Sequence, residues 1–304
     1  MAGIYHIKSI SELHRMLGCS PPRHPSISLV KFLDMKLNEK DIDFKGATVD
    51  FYVISMKNSS GQIKYGKGYY DFEEGTMLFA APNQIMYPSH LSSEVLDSEG
   101  WSLFVHPDLL YGTDLGKKMG EYSFFSYDTD EALHLSEIEK IKILSCVNNI
   151  VEEYNQNIDA HSKHLIVSNL ELLLNYCRRF YDRQFLTRGK QNKSVVVRIE
   201  RLLIDYFNSE KPLNLGLPTV KYCAEEIGLS PNYLSDLLKK ETGKNTKEHI
   251  DYYLLERGKN LLLSSDQNIS QVAYDLGFED PKSFSKLFKK KVGVTPNDFR
   301  SSVN

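Results

Sequence analysis

Residues 269–300 read ISQVAYDLGFEDPKSFSKLFKKKVGVTPNDFR, and the spacing inside this stretch decides how the chain is read. Ile269, Val272, Ala273 and Leu276 fall at i, i+3, i+4 and i+7, which is one stripe of a helix about two turns long. Gly277 stops that helix, because a glycine takes the left-handed conformation that closes a C-terminus and lets Phe278 fold back on the stripe. A second helix starts at once: Asp280 is placed to cap free amides, and Pro281 suits the first helical position, where its missing N–H costs nothing. Phe284, Leu287, Phe288 and Val292 form its inward face. Lys282, Ser285, Lys286 and Lys289, again at i, i+3, i+4 and i+7, form an outward ridge of basic and hydroxyl groups. Such a ridge fits a DNA major groove. Gly293 ends the helix, and Thr295, Pro296 and Asp298 open a last short one through Phe299 and Arg300.

The same grammar occurs earlier. Val220, Cys223, Ala224 and Ile227 repeat the first stripe, Gly228 the stop, Ser230 and Pro231 the new start, Leu234, Leu237 and Leu238 the inward face, and Gly243 the end. Pro231 to Pro281 and Gly243 to Gly293 share one offset, as expected of a structural duplicate. Between the copies, residues 247–263 carry Ile250, Tyr253, Leu254, Arg257, Leu261 and Leu262 without a proline, which predicts one connecting helix. Its length of roughly 25 Å is of the order needed to set two recognition helices about one DNA turn, ~34 Å, apart.

Val220 to Arg300, above all Ile269, Ala273, Gly277, Phe278, Phe284, Phe288, Gly293, Thr295, Pro296 and Arg300, resembles the DNA-binding domain of the AraC/XylS family of bacterial transcription regulators. Two departures stand out: Lys247 replaces a frequent proline, and Gly258 interrupts the connecting helix where alanine is usual. A glycine there costs roughly 1 kcal/mol and is expected to make the link pliant. The resemblance implies sequence-specific binding to double-stranded DNA, RNA polymerase as a partner, and activation as the commoner outcome. It places Asn232, Tyr233, Ser235, Asp236 and Lys239 toward one groove segment and Lys282, Ser283, Ser285, Lys286, Lys289 and Lys290 toward the next. Asn232 suits a bidentate pair with adenine and Lys282 a contact to guanine, while Lys289 and Lys290 suit phosphates. Asp236 must accept from a cytosine amine or turn away.

Net charge over the 304 residues is −3, but it is unevenly divided. From Lys193 on there are 17 Lys and Arg against 15 Asp and Glu, whereas the remainder is acidic. Placement matters more than the small excess, since Lys239, Lys240, Lys282, Lys286, Lys289, Lys290 and Lys291 cluster on the helices described above. A lysine run is also what a solvated helix face looks like, and only the surrounding turn grammar favours the groove. Cys19, Cys146, Cys177 and Cys223 are scattered without a C-x-x-C pair, as expected of reduced thiols in a cytoplasmic protein, and no signal peptide or membrane span is read.

Residues 28–105 have a β texture of short strands at 28–35, 48–56, 62–65, 69–72, 76–81 and 101–105, which suggests a sandwich or small barrel. Tyr70, Asp71, Phe72, Glu74 and Gly75, with the turn at Pro82, Asn83 and Gln84, resemble the cupin-type N-terminal domain that many of these regulators carry. The fold class expected is therefore α+β: a cupin-like barrel or sandwich with trailing helices, then an all-α domain with two helix-turn-helix motifs. Phe32, Phe51, Phe79, Tyr87, Trp101 and Phe104 are candidates to line a small-molecule effector cavity, with Asn83 or His106 as polar groups; ordinary core packing is the competing use of the same aromatics. His90, His106 and His134 are far apart, no H-x-H occurs among the predicted strands, and neither a phosphate loop nor an activated nucleophile is present. No enzyme, metal or cofactor is read.

Residues 136–154 and 161–185 predict two helices too apolar to stand alone. Packing on the chain's own barrel or pairing with a second copy, as a homodimer, would bury their stripes equally well. Residues 187–194, polar with Gly189, Lys190 and Gln191, are the expected linker between domains at 1–186 and 195–304.

Overall fold

The computed structural model describes residues 4–36, 46–57, 63–65, 68–70, 75–86, 100–128, 131–156, 159–187 and 189–303. The chain divides into two compact units, Met1–Gln184 and Phe185–Asn304; the first is rich in sheet and the second helical, so the class is α+β.

The first unit contains strands β1 (Ile4–Ile7), β2 (Ile27–Lys31), β3 (Gly46–Val49), β4 (Tyr52–Lys57), β5 (Ile63–Tyr65), β6 (Gly68–Tyr70), β7 (Thr76–Ala80), β8 (Gly100–Val105) and β9 (Leu133–His134). A five-stranded antiparallel sheet runs β2-β8-β4-β7-β9, β1 pairs in parallel with β3, and β5 pairs with β6. The run expected as one strand over 48–56 is broken after Val49. Its first part joins β1, and Tyr52 onward joins the main sheet, with Phe51 fully buried at the corner. Likewise the strand expected to reach residue 35 ends at Lys31 in a 3-10 turn, Phe32–Asp34.

Alternation fixes what each face of the main sheet meets, because residues paired across antiparallel strands share a face and sequence neighbours do not. Val53 pairs with Phe104, and this face packs with Val30, Val49, Phe51, Ile7 and the α1 residues Ile10 and Leu13 (α1 is Ile10–Met16). Ile54 pairs with Phe79 and Met56 with Trp101 on the opposite face, where Phe79 touches the rings of Phe124, Phe125 and Tyr181. Short helices α2 (Pro107–Leu110) and α3 (Asp114–Lys118) precede the long α4 (Glu137–Asn155) and α5 (Ser162–Thr187). Ser136 and Glu139 form a capping box at the start of α4, satisfying amides that the helix itself leaves free. Ile143, Cys146, Val147 and Ile150 face inward, whereas Ile138 and Ile141 are 70% and 58% exposed.

The second unit carries α6 (Gly189–Phe207), α7 (Lys211–Leu215), α8 (Val220–Ile227), α9 (Pro231–Thr242), α10 (Thr246–Ser264), α11 (Ile269–Asp275), α12 (Pro281–Val292) and α13 (Pro296–Val303). Helix α6 corrects the expected linker, since residues 187–194 are helical from Gly189 on. Asn192, 3% exposed, donates its amide to Phe185 O at 2.6 Å and to Glu241 Oε1 at 3.1 Å, which anchors this part of the helix, while Lys193 and Ser194 beside it are exposed.

Candidate nucleic-acid interface

Two helix-turn-helix units are built by matching local chemistry. In the first, Thr219 accepts from Tyr222 N at the start of α8; Gly228, at φ 77°, closes it; and Leu229 N bonds back to Ala224 O at 3.0 Å. Ser230 then accepts from Tyr233 N ahead of Pro231, and α9 begins. In the second, Asn268 and Gln271 form a capping box at α11. Gly277 takes φ 91°, and Phe278 N bonds back to Ala273 O at 3.0 Å. Asp280 accepts from Lys282 N and α12 follows. The offset of the two copies slips by one residue within the turns: Leu229 and Ser230 separate Gly228 from Pro231, but Phe278, Glu279 and Asp280 separate Gly277 from Pro281.

Each recognition helix buries its apolar side. Leu234, Leu237 and Leu238 are at most 1% exposed on α9, and Phe284 and Phe288 are fully buried on α12. The opposite sides differ. On α12, Lys282, Ser283, Lys286, Lys289 and Lys290 are exposed and Ser285 is half-buried. On α9, Asn232, Lys239 and Lys240 are exposed, Asp236 is half-buried, and the half-buried Ser235 places its hydroxyl 3.0 Å from that of Thr246. Tyr233 is a correction to the expected groove set: it is 1% exposed, with its ring 5.0 Å from that of Phe185, because it follows Asn232 around the helix onto the core side. Lys291, expected in the positive cluster, pairs instead with Asp251 at 3.5 Å; Asp251, buried on α10, also meets Lys247 at 3.1 Å. Lys247 and Asp251 stand at i, i+4 on one helix, but the pairing with Lys291 joins two helices and cannot be read from spacing within either.

The expected effector cavity fares differently. Phe32, Phe51, Phe79, Trp101 and Phe104 are all buried, and Tyr87 lies outside the described residues. Phe51 and Phe104 meet edge to face, centroids 5.7 Å apart, on one side of the sheet, while Phe79 and Trp101 lie on the other. The set therefore does not line one cavity, since strand alternation divides it. An open cavity of about 290 Å³ is lined instead by Tyr52, Pro107, Leu110, Tyr111, Gly112, Thr113, Gly116, Lys117 and Met119, none of them in that set. His106 caps α2, accepting from Asp108 N at 3.3 Å. Among the described residues no group of three or more His, Cys, Asp or Glu is placed to hold a metal ion, and no helix is long and apolar enough to cross a membrane. Burial pushes the Cys223 thiol up to about 11, far from an activated nucleophile.

A family model described as a helix-turn-helix domain matches residues 223–302. The chain is 34% identical over 124 residues to the uncharacterized transcriptional regulatory protein YesN of Bacillus subtilis, covering 40% of this chain and 32% of that protein. It is 23% identical over 255 residues to the HTH-type transcriptional activator RhaS of Salmonella agona, covering 83% and 85%. A solved C-terminal domain of AraT, a response regulator from Geobacillus stearothermophilus, is 30% identical with a TM-score of 0.32, covering 36% of this chain and 84% of that one. Across the first curated relatives, the match spans 32%, 46% and 56% of their own length. With both turns, their caps and the matched region coinciding, the C-terminal part of this chain is a helix-turn-helix domain.

Proposed function

We propose that the protein is a sequence-specific DNA-binding transcription regulator that seats α9 and α12 in neighbouring major-groove segments of one duplex. The observation that carries this reading is the pair of capped, glycine-closed helices with apolar backs in the core and polar ridges in solvent. On α9, Asn232 reads a base and Lys239 steadies the backbone. On α12, Lys282, Ser283, Ser285 and Lys286 face the bases, and Lys289 and Lys290 face phosphates. The full-length chain, incubated with a genomic fragment library, should retain a small set of sequences, with affinity falling steeply as salt rises. Retention of none at low ionic strength ends this reading.

The finer assignments follow from it. The N-terminal unit is taken as a cupin-like dimerisation and sensing module, with activation through RNA polymerase as the outcome; a reporter driven by a retained fragment should rise when the chain is supplied. An effector, on this reading, enters the face that carries Ser55, Ser102 and Lys57. The two hydroxyls lie 2.6 Å apart there, and burial lowers the affinity of Lys57 for its proton. A second reading, in which this unit serves dimerisation alone, is favoured by the division of the aromatic set between two sheet faces. Thermal shift of the chain across a small-molecule panel, with and without Lys57→Met, separates the two.

A further inference from the structure

Gly258 is buried near the middle of α10, and a Cβ built on it would stand 3.2 Å from Leu276 Cδ1 and 3.3 Å from Phe284 Cε2. Leu276 closes α11 and Phe284 belongs to α12, so the absent side chain is the space that the core of the second module fills. Another close approach holds the same module from a different element. A Cβ on Gly277, in the turn between α11 and α12, would come within 2.8 Å of the Gly216 carbonyl carbon and 2.9 Å of Pro212 O, both in the segment that begins with α7. Arg300 Nε adds a bond to Leu262 O at 2.8 Å, and Lys291 pairs with Asp251, so α10 is tied to α13 and to the end of α12. The glycine expected to loosen the connecting helix therefore sits where the neighbouring helices leave little room for a side chain.

We propose that Gly258 is a positioning residue for DNA recognition: by letting α11 and α12 approach α10 this closely, it fixes the offset between the two recognition helices and thereby the spacing of base segments the protein accepts. This rests on the DNA-binding reading above. Gly258 touches no base in this role. It acts through Leu276 and Phe284.

The test uses the full-length chain and three variants: Gly258→Ala, Gly258→Leu, and Gly258→Ala combined with Leu276→Val. Spin labels at Lys240→Cys and Lys290→Cys, with Cys19→Ser to remove a competing thiol, report the distance between α9 and α12 without DNA. That distance should be narrow with Gly258, displaced in the leucine variant, displaced less in the alanine variant, and restored by Leu276→Val. Duplexes selected by the unlabelled wild-type chain from a random pool are then remade with one base pair added or removed between the two recognised segments. The preference for the original spacing should fall by about tenfold in Gly258→Leu and less in Gly258→Ala. A merely structural role would instead lower the melting temperature and weaken every spacing alike. The alanine variant keeps the test alive if leucine prevents folding. Unchanged label distance and unchanged spacing preference in the folded variants overturn this proposal alone, whereas failure of the wild-type chain to select any duplex overturns the DNA-binding reading with it.

Discussion

Asn232 and Tyr233 are neighbours in sequence with opposite duties. Asn232 is exposed at the start of α9, whereas Tyr233 is sealed against Phe185. Tyr233→Ala should therefore cost about 3–5 kcal/mol of stability through the cavity it leaves, visible as a lowered melting temperature. Asn232→Ala should leave melting unchanged and cost about 1–3 kcal/mol of discrimination at one base pair, whereas Lys289→Ala should weaken all sequences alike. Titrations against single-base-substituted duplexes check this, and equal losses on cognate and scrambled DNA for both variants would remove the division of roles. His249 offers a pH-dependent counterpart. It is 6% exposed, its Nε2 lies 2.8 Å from Thr242 Oγ1, and burial lowers its pKa below the ordinary 6.5, against an opposing pull from Glu200. Because the unfolded chain binds this proton more readily, His249 contributes stability that is present above about pH 6.5, the unfolded value, and is lost as pH falls from there through the lower folded value. Denaturant midpoints at pH 8 and pH 5.5 should differ more for the wild-type chain than for His249→Gln.

At the scale of elements, the two recognition helices are not electrostatic equals. Helix α9 carries Asp236 and Glu241 beside Lys239 and Lys240, while α12 carries Lys282, Lys286, Lys289, Lys290 and Lys291 with no acid. Lys291 is partly neutralised by Asp251, and the other four α12 lysines are exposed. Replacing Lys289 and Lys290 by Gln should flatten the dependence of log affinity on log salt by about 0.9 for each phosphate that is no longer neutralised. Lys239→Gln alone should release at most one phosphate in this way. This asymmetry was legible in the sequence, as were the helix stops at Gly228, Gly243, Gly277 and Gly293, because caps and stripes are local and repeat within a few residues. Packing between elements was not. Gly258 reads as a weak point when only helix propensity is weighed, and its use appears once Leu276 and Phe284 are seen beside it. The aromatic set of the first unit failed for a related reason. Each described member is buried as the pattern implies, but the corner at Phe51 and the pairing of β4 with β7 and β8 decide which side of the sheet each one faces.

For the whole molecule, the dimerisation proposed above is best tested on the outer side of α4 and α5. These helices bury one stripe within the first unit and are joined to each other by Asn149 to Asn169 at 3.1 Å, while Arg183 on α5 meets Glu139 on α4 at 2.6 Å. Their other side still presents Ile138 and Ile141, one turn apart on α4, with Leu165 and Leu172, two turns apart on α5, all exposed. A second copy of the chain would bury the same residues on both partners, as two-fold pairing requires. Ile141→Glu should then shift the protein from dimer to monomer in sedimentation equilibrium without lowering its melting temperature, because the side chain already lies in solvent. Affinity for a duplex with one recognition segment should hold, whereas affinity for a duplex with two tandem segments should drop by about 10²–10⁴, the gain that linkage of two binding units supplies. A variant that keeps the wild-type mass and tandem-site affinity would place dimerisation elsewhere. Equal losses on single and tandem duplexes would mean that the substitution damaged the fold rather than the pairing.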